Sequence, residues 1–199
     1  MQWTVSNQLT IGRVLLIPVF MIAFYLPGFL GYILAASIFA FASATDWLDG
    51  YLARTRGEVT AFGRFLDPVA DKLLVAAALV LLVEAERVPS LLAVIIIGRE
   101  IAISALREWL AEHATIVHVS MMGKMKTAAQ MASIVALLLH IEIAGIDMHS
   151  VGLFLLWVAA ILTLWSGYEY IRDAWPELMG KKDKESTTDD EQSPQSPDQ

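Results

Sequence analysis

Six apolar stretches of about 20 residues each, divided by short polar breaks, constrain this chain more than any other feature. They run roughly Leu9–Leu26, Tyr32–Ala53, Phe65–Val83, Pro89–Ala111, Met125–Ile141 and Val151–Ile171. A helix rising about 1.5 Å per residue crosses the hydrocarbon core of a bilayer in that length. Lipid offers no partner for backbone N–H and C=O groups, so such stretches must bond internally as helices. Pro27-Gly28, Gly57, Pro89 and Gly145 punctuate the series, and no internal repeat is visible. The pattern predicts an all-α, polytopic membrane protein with six transmembrane helices.

Composition agrees. Hydrophobic residues make up 56% of the 199 and mean hydropathy is +0.56. Soluble domains average about 45–50% apolar, which argues against a soluble helical bundle. The chain has no cysteine, which removes disulfides, zinc–thiolate sites and thiol nucleophiles from consideration. The net charge of −7 is shared: the stretch Lys181–Gln199 holds six acids against three lysines, a net of −3, which leaves −4 for the rest. No basic face suits nucleic acid. The first ten residues carry no Lys or Arg, and no A-x-A-like site follows the first apolar stretch. That stretch is therefore expected to stay in place rather than be cleaved.

Basic residues set the expected orientation. The breaks near 27–31 and 142–150 have none and the break near 84–88 has only Arg87, which receives no role. The other basic residues gather towards the opposite side or within the stretches, so both termini are expected to face the cytoplasm. Residues 1–175 read as one membrane domain, with Tyr170 and Trp175 as interfacial aromatics. Residues 176–199 read as a disordered cytoplasmic tail, because the sequence from Lys181 lacks the apolar residues that a core needs. Ala36, Ala40 and Ala44 recur every four residues and are expected to form a packing ridge.

Inside this apolar framework lie Asp46, Asp49, Asp67 and Asp71, in the pattern D-x2-D-G-x2-A-R-x8-G-x3-D-x3-D. An acid near bilayer depth is costly and marks a functional site by default. Spacings of three and four place each pair on one helix face, with Gly63 a turn before Asp67. The link Arg54–Phe62 is short, so the two helices are expected to be antiparallel neighbours whose carboxylates meet just inside the cytoplasmic boundary. Carboxylates packed so closely repel unless cations or protons neutralise them. Oxygen-only ligation suits Mg²⁺, Mn²⁺ or Ca²⁺, and four acids can hold two ions for displacement at phosphorus. Two other readings are structural pairing with Arg54, Arg64 and Lys72, and a cation pathway through a transporter. Gly50 and Gly63 leave room for a ligand to approach the backbone.

The run D-W-L-D-G-Y-L-A-R, then eight residues, then G-R-F-L-D-P-V-A-D, resembles the signature of the CDP-alcohol phosphatidyltransferases at every fixed position. The resemblance implies a six-helix membrane enzyme, commonly a homodimer, that transfers a phosphoryl-linked group from a CDP-linked donor and releases CMP. It implies two divalent ions, Mg²⁺ or Mn²⁺, on Asp46, Asp49, Asp67 and Asp71, with Asp71 also the general base. Gly50, Ala53, Arg54 and Gly63 would line the nucleotide and diphosphate site, with Asn7, Thr10 and Arg13 beside it.

The acceptor must be read elsewhere. Arg99 lies near the middle of the fourth stretch, where a cation needs a partner. Glu100, its neighbour in sequence, is not expected to share its face. Either a core aspartate pairs with Arg99 or Arg99 lines the substrate cavity. Arg107, Lys124 and Lys126 form a second basic group, which reads as positive-inside anchoring or as part of that cavity. Cations converging on one cavity suit an anionic acceptor such as a polyol phosphate. The stretches N-Q-L-T-I-G-R, G-R-E-I-A-I-S-A-L-R-E-W, G-K-M-K-T-A-A-Q-M and L-T-L-W-S resemble the bacterial members of the family that use glycerol 3-phosphate. That implies CDP-diacylglycerol as donor, sn-glycerol 3-phosphate as acceptor on Arg99, Arg107, Lys124 and Lys126, and a site in the inner membrane facing the cytoplasm. Serine, inositol phosphate or a second phospholipid are the rival acceptors. His113, His118, His140 and His149 have no metal spacing and read as structural.

Overall fold

The computed structural model describes the backbone at 5–56, 61–112, 121–143 and 145–179. Side chains are described there except at 5–7, 9, 46–56, 61–68, 111–112, 121–125 and 176–178. Six helices follow one another: α1 (Val5–Phe24), α2 (Phe29–Arg56), α3 (Ala61–Glu84), α4 (Ser90–Glu112), α5 (Met121–Leu139) and α6 (Met148–Leu178). Each coincides with one of the six apolar stretches. The expected boundary at 176 falls inside α6, and the sequence from 180 onward lies outside the described residues.

The breaks between helices have local causes. Gly28 turns the chain between α1 and α2 at φ +78°, a conformation that side-chain-bearing residues rarely adopt. Pro89 cannot continue the preceding helix and stands just before α4. Asp147 caps α6, its carboxylate accepting from the amides of His149 and Ser150, both at 3.0 Å, and from the Ser150 hydroxyl at 2.7 Å. Ahead of that cap the sequence suggested only a turn. The chain instead forms a small antiparallel pair, β1 (Glu142–Ile143) and β2 (Ile146–Asp147), with Gly145 at φ +79° between them.

Among the helices α5 runs closely along α6, α1 packs on both α2 and α3, α2 also packs on α5, and α4 lies on α6. Among the described residues α2 and α3 share few contacts, and α1 packs on both. The core comprises Phe20, Phe39, Leu74, Leu79, Leu82, Leu92, Ile96, Ile134, Leu137 and Leu156. Phe20 and Phe39 pack with tilted rings whose centres are 6.0 Å apart. The alanine ridge expected on α2 is not the buried line. Ala36 is buried, but Ala40 and Ala44 are exposed, and Ala35, Phe39 and Ala42 face the core instead. A four-residue step on a 3.6-residue helix advances about 40°, so such a row drifts off the contact.

The outer surface is apolar: Leu15, Ile22, Phe41, Val94, Phe154 and Ile161 are all exposed. Among the described residues, Met148–Trp175 is long and apolar enough to cross a membrane, and Thr10–Phe24, Phe29–Thr45 and Lys126–Leu139 are shorter apolar runs. In α3 and α4 the apolar runs are broken by charged residues, among them Asp71, Lys72, Arg99 and Glu100.

The short turns at the far end are tied together by Arg87. Its guanidinium donates to the carbonyls of Leu137 (3.3 Å) and Leu138 (3.4 Å) at the end of α5 and lies over the rings of Phe24 and Tyr32. The Tyr25 hydroxyl donates to Glu84 at 2.6 Å. The role that the sequence withheld from Arg87 is thus to cap a helix and bridge three turns.

Candidate active site

Positions 46 and 49 lie in the last turns of α2, and 67 and 71 in the first turns of α3. The connection between these helix ends is short, so the four aspartate positions gather at one end of the bundle, opposite the Arg87 cluster. The side chains of Asp46, Asp49 and Asp67, and those at Gly50, Ala53, Arg54 and Gly63, lie outside the described residues, as do Asn7 and Lys124. Asp71 is described. It is half-buried and lines a cavity of about 260 Å³ enclosed by α3, α4 and α5.

The cavity has a polar side and an apolar side. Asp71 and Lys72 from α3, Glu100 from α4, and Thr127 and Gln130 from α5 supply the polar groups. Val75, Ile97, Ile101 and Met131 supply much of the rest. Each helix contributes at three- and four-residue intervals, such as 97, 100 and 101 or 127, 130 and 131, as one face of a helix must. Such a chamber can take a ligand with both a charged head and an apolar part. Among the described residues no group of three or more acidic or histidine side chains could hold a metal ion. Asp71 is the one member of the expected set with a described side chain, and its carboxylate oxygens fit a hard divalent cation. His140 and His149 meet edge to face near Tyr32 at the far end, and His113 and His118 lie outside the described residues.

The basic residues assigned to the acceptor have distinct surroundings. Arg99 turns towards α6, where Nε donates to the Thr163 carbonyl at 3.1 Å and Nη2 to the Ser166 hydroxyl at 2.7 Å. Its Nη1 also reaches Glu100 Oε1 at 3.4 Å, contrary to the expectation that sequence neighbours would not meet. A guanidinium on a long, flexible stem can bend back across the turn, which spacing rules based on Cβ positions do not anticipate. Lys126, only 4% exposed, donates to the same Glu100 oxygen. Arg107 lies over the Tyr170 ring at 5.4 Å and is near enough to repel both Arg99 and Lys126. The structure therefore brings Arg99 and Lys126 together at Glu100 and directs Arg107 to α6.

Glu100 is the residue that sequence reasoning passed over. Its signal was available: an acid within an apolar helix, the same oddity that marked the aspartates. On α1, Thr10 and Arg13 are both buried, Arg13 at 1% exposure, and both are engaged with neighbouring groups. The helix that carries them packs against both α2 and α3.

Comparison with known proteins assigns the class. Residues 3–165 match the CDP-alcohol phosphatidyltransferase family, and the chain belongs to it. Individual relatives narrow the comparison. The chain is 49% identical to the CDP-diacylglycerol–glycerol-3-phosphate 3-phosphatidyltransferase of Yersinia enterocolitica over 187 residues, which covers 90% of this chain and 99% of the relative. It is 50% identical to the enzyme of that name from Pseudomonas fluorescens, over 91% of this chain and 95% of the relative. The one from Pectobacterium atrosepticum is 48% identical over 90% and 99%.

Proposed function

We propose that this protein transfers the phosphatidyl group of CDP-diacylglycerol to sn-glycerol 3-phosphate, giving phosphatidylglycerol phosphate and CMP. The observation that carries the reading is the near-end-to-end identity of about half with relatives bearing that activity in their names. The intact eight-residue signature supports the donor chemistry, and the acceptor rests on the relatives.

In this reading the C1 hydroxyl of glycerol 3-phosphate forms a bond to the lipid-side phosphorus of the donor. The bond from that phosphorus to the bridging oxygen breaks, and CMP leaves with the electron pair. Asp71, which lines the cavity, takes the hydroxyl proton. Asp46, Asp49, Asp67 and Asp71 would hold two Mg²⁺ or Mn²⁺ ions, which when bound neutralise charge on the diphosphate. Gly50, Ala53, Arg54 and Gly63, with Asn7, Thr10 and Arg13, bind the nucleotide and diphosphate. Arg99, Arg107, Lys124 and Lys126 attract the acceptor phosphate. Most of the acceleration comes from positioning and charge compensation.

The apolar exterior supports a multi-pass protein of six spans in the bacterial inner membrane. Both termini and the aspartate end face the cytoplasm, where glycerol 3-phosphate and CMP are soluble. The working form is a homodimer. The test is CMP release from CDP-diacylglycerol by the purified protein with Mg²⁺ or Mn²⁺, each acceptor supplied in turn. Release with glycerol 3-phosphate is expected. Release with serine or inositol phosphate instead would overturn the acceptor.

A further inference from the structure

Lys126 is nearly sealed from solvent, and its partner among the described residues is Glu100. A buried ammonium is costly unless a counter-charge holds it. Arg99 is fixed without help from Glu100, since α6 offers it both the Thr163 carbonyl and the Ser166 hydroxyl. Lys126 depends on the carboxylate far more. Glu100 also stands on the cavity wall that it shares with Asp71, whereas Arg99 is turned towards α6. Among the described residues Arg99, Arg107 and Lys126 outnumber Glu100, so this group of four carries an excess positive charge next to the wall on which Glu100 stands.

We infer that Glu100 is a positioning residue for the acceptor: it keeps Lys126 charged and aimed at the place where the phosphate monoester binds. This rests on the proposed transfer to glycerol 3-phosphate. Losing Glu100 should therefore weaken acceptor binding and spare the donor, because the signature that reads the nucleotide lies on α2 and the start of α3. A carboxylate that merely stabilised the fold would affect both substrates alike.

The experiment uses the full-length protein in lipid nanodiscs, with CMP release measured as each substrate is varied in turn. For Glu100→Gln the KM for glycerol 3-phosphate should rise about tenfold, the scale of one lost charge-assisted hydrogen bond. The KM for CDP-diacylglycerol should stay within about twofold, and Glu100→Asp should recover part of the acceptor affinity. In a Lys126→Gln background Glu100→Gln should add little further, because the two act as a unit. An unchanged acceptor KM, equal shifts in both KM values, or effects that multiply in the double variant would each overturn the assignment. If Glu100→Gln does not fold, the comparison of Lys126→Gln with the double variant still decides. Wild-type protein inactive with glycerol 3-phosphate but active with another acceptor would instead remove the function on which the inference stands.

Discussion

Arg87 holds its guanidinium carbon 4.6 Å from the ring centre of Tyr32, between the turn after α3 and the start of α2. The same group donates to two carbonyls at the C-terminal end of α5. Arg87→Ala is expected to lower stability by about 1–3 kcal/mol, from the lost bonds to a helix end and the cation–π contact. Activity per folded molecule should stay near wild type, because the cluster lies at the end opposite the aspartates. Thermal unfolding together with CMP release checks this, and a selective loss of activity would tie that end to catalysis.

Asp71→Asn keeps the shape of the side chain and removes the proposed base. Turnover should fall by about 10²- to 10⁴-fold, the usual contribution of positioned proton transfer. Binding of CDP-diacylglycerol should remain measurable. Near-normal turnover in this variant would assign the proton to another group.

Removal of divalent ions should abolish CMP release, since four acids at one bundle end repel once uncompensated. Adding Mg²⁺ or Mn²⁺ after chelation should restore it. Full activity in the presence of excess chelator would sink the metal reading.

These predictions draw unevenly on sequence and structure. The six helices were legible because apolar residues dominate each, even where charged residues interrupt α3 and α4, and the aspartates because acids are rare in such segments. Partner choice was not legible. The spacing of Ala36, Ala40 and Ala44 looked like a contact ridge, yet the line through Ala35, Phe39 and Ala42 is buried, because α1 and α5 decide which side of α2 is covered. Arg87 looked idle because its partners lie 50 and 51 residues away in α5. Glu100 was dismissed as a partner of Arg99 on spacing alone, and its bond to Lys126 depends on how α4 approaches α5.

The cap on α6 makes one pH effect predictable. Bonds from the Ser150 hydroxyl and from the amides of His149 and Ser150 hold the Asp147 carboxyl below its usual value. A depressed carboxyl stabilises the fold fully above its unfolded value of about 3.9, and that contribution disappears as pH falls through the lower folded value. Asp147→Asn keeps capping ability without the charge. Its melting temperature should lie below that of wild type at neutral pH, and the difference should shrink as pH falls below about 4. Melting curves of both proteins between neutral and acid pH check the point. A gap that stays constant would mean that Asp147 does not titrate in this range.

The close contact of α5 with α6 makes one glycine hard to replace. A Cβ at Gly152 would lie 2.7 Å from Leu137 Cγ, 3.0 Å from the Leu137 nitrogen and 3.1 Å from the Ser133 carbonyl oxygen. Two of those three atoms are backbone and cannot swing aside, so α5 and α6 would have to separate. That separation would also stretch the 2.7 Å bond from the Ser133 hydroxyl to the Gly152 carbonyl. Small residues earn their place at such crossings because packing replaces the hydrophobic effect in lipid. Gly152→Ala should cost about 1–3 kcal/mol, the usual range for overpacking. Gly98 is the control, because a Cβ there meets nothing within 4 Å. Gly98→Ala should therefore be neutral, or stabilising by up to about 1 kcal/mol through helix propensity. Melting temperatures of the two variants in the same detergent should move apart. Equal shifts would mean that α5 and α6 are not held at this distance.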